Sequence, residues 1–492
     1  MLNINRYLPW IGFTVIAGTV VIGAGMGTFL TPLIVLCLAG VLIMLLPHSR
    51  SLLMGTLILL ASEVTLPFLS ENMSFYMVAG ALMWASVSLQ AVLSRGRPLT
   101  ADEKKICFWV VGFIVVLVMT ASLRGSGFRF LNSEKWGGRP YLLLLFAAIT
   151  LLFSMRVSLT ATQCRRTVMG YCLAGLIPSF AAIAMHYGGV DFFAKFVGQG
   201  EDAAKMVYGL AGTGDPMFRL QVANVGATYM FLMMWMVVYS KNFTSHVTMA
   251  MCGLAGLLLT GISGHRISLL YGVVLSVAFC LLNVRVPLRK RIINWYSASF
   301  MVVIVSLILL APHLPYTYQR SLSWLPYVDL ASHSQADADV TAAWRIEVWK
   351  RALDHASQYL VLGKGFAFSR EEMLSYVQWT MNDYNFVLTS HNYHNGLIHI
   401  LIDLGLPGLL FAIGFVGVVL KQHYVLLKHP WIHPFLGHLH RVMLAGFVAQ
   451  IVVYVAVGGG ATTFVRLFFW TIMLEQLRKA DLCIAPEAKV AS

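Results

Sequence analysis

Apolar runs of span length recur along almost the whole chain, separated by short basic connections and two long polar segments. A bilayer core about 30 Å thick needs about 20 apolar residues per helix. Such runs centre near residues 18, 38, 60, 84, 114, 148, 176, 230, 254, 274, 301, 408, 448 and 469. They predict an all-α polytopic membrane protein of about 12–14 transmembrane helices. The runs near 38 and 469 are short for a bilayer. The first run, Leu8 to Leu30 behind Arg6, is too long for a signal-peptide core and reads as a retained span.

The polar segments are His186 to Arg219 and Ala311 to about Tyr393. Within the second, "DVTAAWRIEVWKRALDHASQYL" sets Trp344, Val348, Ala352 and Tyr359 on one helical stripe, which predicts an amphipathic helix able to lie on the membrane face. Ser369 and Glu372 have capping-box spacing and predict another helix start. The chain therefore divides into N-terminal transmembrane helices (1–219) and central ones with Arg266 at their lip (220–310). A periplasmic loop with short amphipathic helices (311–393), C-terminal transmembrane helices (394–476) and a cytoplasmic tail (477–492) follow.

Composition agrees. Of 492 residues, 58% are hydrophobic and 11% charged, with a mean hydropathy of +0.74. Soluble domains carry about 25% charged residues, so a water-soluble globule is excluded. With the N-terminus in the cytoplasm, Arg50, Lys104, Lys105, Arg156, Arg165, Arg166, Lys421, Lys428, Arg441, Arg478 and Lys479 all fall inside. The net charge of +14 is then a topology signal and an attraction to anionic lipid, with no call for nucleic acid. Five histidines between Lys421 and Arg441 read as a headgroup-facing amphipathic loop. The seven cysteines include no CxxC pair and, on this topology, none in an external loop, which argues against a disulfide framework or a cysteine metal site.

Several arginines break the positive-inside pattern. Arg124, Arg129, Lys135 and Arg139 lie outside between two spans and read as headgroup anchors or a funnel for an anionic substrate. Arg266 follows a tight turn, Gly261 to Gly264, and sits at the lip of a span. Its neighbourhood offers few carboxylates, so it either snorkels to headgroups or binds an external anion. A phosphate suits the guanidinium fork. Arg345 in the amphipathic helix reads as a solvated helix face or an anion ligand, and Arg466 in "GGGATTFVRLFFW" carries the same ambiguity.

In "TSHNYHNGLIHILIDLGLPG" two His-Asn pairs stand where the polar segment re-enters the apolar region. His394 can accept a proton near neutral pH. Beside arginines holding an anion, that favours deprotonation of a hydroxyl nucleophile with phosphate leaving. The plain alternative is a capping or interfacial histidine. Asn395 can orient the base or bind a sugar hydroxyl. His391 with His394 could supply two metal ligands, but zinc wants a third and no HExxH is present. Asp403, about two turns on, reads as support for the histidines or an intramembrane pair for a basic partner. "LGKGF" at Leu362 to Phe366 lacks the strand and helix of a P-loop.

The ordered set "SGHRISLL", "WRIEVWKRALDHASQYLVLGKGF" and "HNGLIHILIDLGLPG" resembles the O-antigen ligase and polymerase superfamily over about residues 220 to 475. The resemblance implies a bacterial inner-membrane enzyme that transfers a glycan from undecaprenyl diphosphate to an acceptor sugar hydroxyl at the periplasmic face, with neither metal nor cofactor. By position, Arg266 and Arg345 become the diphosphate clamp and His394 the base. Spacing to Gly405 favours His394-Asn395 over His391-Asn392. Implied partners are the lipid-linked donor, the glycan acceptor, the bilayer, and chain-length regulators or envelope assembly proteins. A repeat-unit polymerase and a ligase to lipid A core differ in acceptor, and the long external segments favour the polymerase. A polysaccharide or lipid flippase is the competing class. It would place ionisable groups near the midplane, where Glu63 and Asp403 are the few acidic candidates.

Overall fold

The computed structural model describes residues 48–62, 75–93, 98–127, 135, 137–188, 223–239, 243–283, 302, 305–306, 309–323, 332–369, 371–372, 391, 393–428, 431–456 and 459–490. The predicted spans near 18, 38 and 301, Arg129, Asn392 and the 189–222 segment lie outside these residues. Every other predicted centre falls in a helix except that near 176, which sits at the turn joining two helices of the apolar stretch Ala161–Ala184.

The helices are α1 (Ser49–Ser62), α2 (Phe75–Leu93), α3 (Ala101–Arg124), α4 (Arg139–Ser154), α5 (Ala161–Ala174), α6 (Ile177–Gly188) and α7 (Ala223–Val237). There follow α8 (Phe243–Ser263), α9 (Arg266–Asn283), α10 (Tyr316–Leu322), α11 (Ser332–Ala356), α12 (Gly396–Leu426), α13 (Pro434–Ala456) and α14 (Ala461–Val490). Among the described residues six stretches are long and apolar enough to cross a membrane: Ala101–Arg124, Ala161–Ala184, Thr244–Ser263, Arg266–Asn283, Gly396–Leu426 and Pro434–Ala456. Four shorter apolar stretches, Ser49–Ser62, Tyr76–Ser88 within α2, Arg139–Ser154 and Ala223–Val237, pack among them. The protein is an all-α, multi-pass membrane protein.

Glycines inside the spans set the packing, because a missing side chain lets a bulky neighbour approach the helix axis. Gly112 of α3 receives Phe411 of α12, and Gly414 of α12 receives Trp109 of α3. Phe231 of α7 wedges against both Gly256 of α8 and Gly272 of α9. Trp470 of α14 covers Gly446 of α13. Capping boxes at Thr100–Glu103 and Thr160–Gln163 start α3 and α5 by satisfying otherwise orphaned N-terminal amides.

Three expectations change at this level. The stripe of α11 does not lie on a membrane: Val348, Ala352 and Ala356 are buried against Tyr393, Ile398 and Ile402, with Trp344 and Tyr359 packed alongside. The start of α12 offers an apolar surface of matching pitch, and the Trp349 indole fixes the docking by donating to the Tyr393 carbonyl at 2.8 Å. Second, His423, His438 and His440 are not in a headgroup-facing loop but buried within α12 and α13. Third, α14 continues through residue 477, and Arg478 and Lys479 are held in the protein rather than in a free tail. The Lys479 ammonium donates to the carbonyls of Ser154, Met155 and Val157, the orphan acceptors at the end of α4.

Candidate functional site

Several helix ends converge around His394. α12 begins there, and Asn395 is its N-cap: the Asn395 Oδ1 accepts the amides of Leu397 at 3.0 Å and Ile398 at 3.2 Å. That use occupies the side-chain oxygen expected to orient a base or hold a sugar. Tyr454, near the end of α13, donates to the Gly396 carbonyl at 3.0 Å, and Gly459 lies so close to Gly396 that no Cβ would fit. His391 and His394 both adopt positive φ, 56° and 52°, in the turn leading into α12. Non-glycine residues rarely occupy that region, and they concentrate where a site over-determines the backbone.

The two histidines have different neighbours. The His391 Nδ1 lies 2.6 Å from Asp403 Oδ1, and His399 Nε2 lies 3.4 Å from Asp403 Oδ2. The expected basic partner of Asp403 is thus a pair of imidazoles. Nε2 of His391 is buried with no hydrogen-bond partner among the described residues. The His394 ring instead meets Trp344 of α11 edge-on, with centroids 5.5 Å apart.

The next residue of α11 is Arg345. Burial first, and then the charge of Arg266, lower the pKa of the Arg345 guanidinium. Two cations are therefore held near one another in a partly dry place, and the Arg345 Nε is buried with no hydrogen-bond partner among the described residues. Arg266 opens α9 two residues after Gly264, whose φ of 61° makes the turn from α8. Helix α10 packs on α8, α9 and α11, and it carries Arg320, a third guanidinium that no motif in the sequence singled out. Below this turn runs an apolar groove of about 310 Å³ between α8, α9 and α10, lined by Leu254, Leu257, Leu258, Leu269, Leu310 and Leu322.

The Gly363-Lys364-Gly365 turn has a role that its sequence disguised. Helix α12 breaks at Gly405 (φ 71°), two residues before Pro407. Proline has no N–H, so the Asp403 carbonyl loses its helical donor. The Leu406 amide is also diverted, donating to Leu360 O at 2.7 Å and freeing Ile402 O. The Lys364 amide donates to Ile402 O at 2.6 Å and the Gly365 amide to Asp403 O at 3.0 Å. The loop amides therefore cap a broken helix rather than cradle a phosphate. Gly363 and Gly405 both have positive φ, and a Cβ on Gly363 would strike the Asp403 backbone. The break and its cap hold Asp403 beneath His391.

Arg124 belongs to this cap. Its Nε donates to the Gly363 carbonyl at 2.9 Å, so the headgroup and funnel readings give way to a structural bond made by the last residue of α3. Arg139 is exposed at the start of α4. Arg466 lines a different cavity, with Ser268 and Tyr271 of α9. Among the described residues no three His, Cys, Asp or Glu side chains converge as a metal site requires.

Residues 229–413, from α7 to just past the break in α12, match the family model described as O-Antigen ligase. The match supports the resemblance to the O-antigen ligase and polymerase superfamily that the sequence motifs carry over this stretch. The matched stretch contains Arg266, Arg345, His391, His394 and Asp403, and leaves α13, α14 and Arg466 outside. Among curated proteins none matches the chain. A domain of this kind, set among membrane-spanning helices, supports in broad terms a membrane glycosyltransferase of the ligase and polymerase type.

Proposed function

We propose that the protein transfers a glycan from undecaprenyl diphosphate to the hydroxyl of an acceptor sugar at the periplasmic face of the bacterial inner membrane. Both termini are then cytoplasmic, and the product is a polymerised repeat unit. One observation carries this reading: two arginines act on each other's charge in a partly buried place, while the residue beside one of them touches an imidazole. Like charges kept together at a cost are suited to a multiply charged anion, and a diphosphate offers oxygens for both forks. The apolar groove under Arg266 suits the isoprenoid tail.

The chemistry follows in balance. The acceptor hydroxyl oxygen attacks the anomeric carbon, and the bond from that carbon to the diphosphate oxygen breaks. The diphosphate leaves with the bonding pair, held by Arg266 and Arg345. The hydroxyl proton passes to His394. Guanidinium groups fixed before reaction offset the charge that develops, the largest contribution in sites of this kind. A single displacement inverts the anomeric configuration, and charge is handled by arginine rather than a divalent ion.

A second reading makes His391 the base, favoured by the 2.6 Å Asp403 contact and the unpartnered Nε2. Transfer by purified protein decides. Arg266→Ala and Arg345→Ala should each lose transfer, and full activity in either ends the proposal. If His394 is the base, His394→Ala loses turnover and Asp403→Asn retains most of it. If His391 is the base, the pattern reverses. Longer glycan on undecaprenyl identifies a polymerase, whereas glycan on lipopolysaccharide identifies a ligase.

A further inference from the structure

One residue past Arg266, α9 turns its Ile267, Ser268 and Tyr271 to the wall of a cavity of about 150 Å³, closed by α7, α13, α14 and Tyr171 of α5. Its other polar wall groups include Thr228, Gln450, Thr463 and Arg466. Val453 and Thr463 in the wall directly precede Tyr454 and Phe464, which touch each other, and Tyr454 is the residue bonded to Gly396.

Two features point to a ligand. The Ser268 hydroxyl, 0% exposed, and the Tyr271 hydroxyl, 1% exposed, have no hydrogen-bond partner among the described residues. Buried polar groups are ordinarily satisfied, so each exception calls for a water or ligand. Size then narrows the ligand: a cavity near 150 Å³ holds one six-membered ring. Here the walls combine aromatic faces, Tyr171, Tyr229 and Trp470, with hydroxyl and amide groups that both donate and accept. A pyranose has the complementary surface, with C–H faces for the aromatic walls and hydroxyls for the polar ones. Arg466, donor only, suits a hydroxyl or carboxylate oxygen.

We infer that this cavity seats a single pyranose ring, either the sugar bonded to the donor's diphosphate or the terminal sugar of the acceptor. The inference rests on the transfer reading, and it gives Ser268, Tyr271 and Arg466 a part in sugar recognition outside the arginine clamp.

Binding to full-length protein in detergent tests it with three probes: bare undecaprenyl diphosphate, lipid-linked glycan extracted from the producing cells, and the same glycan freed of lipid diphosphate. Ser268→Ala and Tyr271→Phe, which remove one oxygen each, should leave bare undecaprenyl diphosphate unchanged. If the ring is the donor's, both variants weaken lipid-linked glycan about tenfold, or ~1.4 kcal/mol. If it is the acceptor's, they weaken the freed glycan by that factor. Unchanged affinity for both glycans in both variants would overturn the inference and mark the cavity as a water-filled void. Failure of the underlying reading looks different: wild-type protein would bind bare undecaprenyl diphosphate no more tightly than Arg266→Ala does.

Discussion

The two ends of the bundle treat buried charge in opposite ways. At the end away from His394, Glu475 accepts Arg478 at 2.6 Å and meets His423 at 3.1 Å, while Glu103 lies 3.5 Å from Arg478 and 3.4 Å from Lys479. His423 also shares a 2.9 Å contact with His440. Cations and carboxylates there pair within the chain. At the His394 end, Arg345 is partly buried beside another cation, with Arg320 on the neighbouring α10. A paired cluster is a joint between helices. On the proposed reading, cations held close to one another suit an anion brought from outside. The comparison separates structural from functional charge better than position along a span does.

Four outcomes sharpen or break this division. The largest is in rate: His394→Ala should lower transfer by about 10²–10⁴, the usual contribution of a positioned general base, with little change in the melting temperature of the detergent-solubilised protein. Loss of stability with unchanged specific activity would put His394 on the structural side. Next, Glu475→Ala leaves Arg478 and His423 without their carboxylate. Breaking a buried pair costs about 3–5 kcal/mol, so thermal unfolding should show a large loss while folded molecules retain transfer. A smaller effect comes from Gly405→Ala, which forces a side chain to positive φ at about 1–3 kcal/mol and disturbs the bed of Asp403. It should lower both stability and turnover, measured on one preparation.

The smallest concerns pH. Burial raises the Glu372 carboxyl, but the Ser369 amide and Lys364, 3.5 Å away, outweigh it and leave its pKa below the ordinary value of 4.5. A depressed folded pKa contributes stability that is complete above the unfolded value and lost as pH falls through the folded one. Hydrogen exchange of residues 363–372 should therefore quicken in acid below about pH 4, by no more than a half-exposed pair allows, about 1 kcal/mol. Glu372→Gln should make exchange there insensitive to acid.

The spans were legible because apolar length is written locally. Arg266 and His394 stood out as polar groups at the edge of apolar runs, and both lie at helix starts. What the chain did not disclose depends on partners far along it. Arg124 looked like a surface charge because Gly363 lies 239 positions away. The α11 stripe had the right pitch for a membrane surface or for α12, and only tertiary contact distinguishes them. Lys479 counted as a topology charge, yet it caps a helix that ended 325 residues earlier. Asp403 and His391 are closer in sequence. Their meeting still depends on a helix break whose acceptors are filled from the preceding loop.

That splice limits how the enzyme can be rebuilt. The loop and α12 are joined by main-chain groups on both sides, so grafting a relative's loop onto this chain would succeed only if the matching half of the broken helix travelled with it. Exchange of donor or acceptor preference within the superfamily is best attempted by moving residues 357 to 407 as one cassette, with side chains such as Lys364 left free to vary inside it.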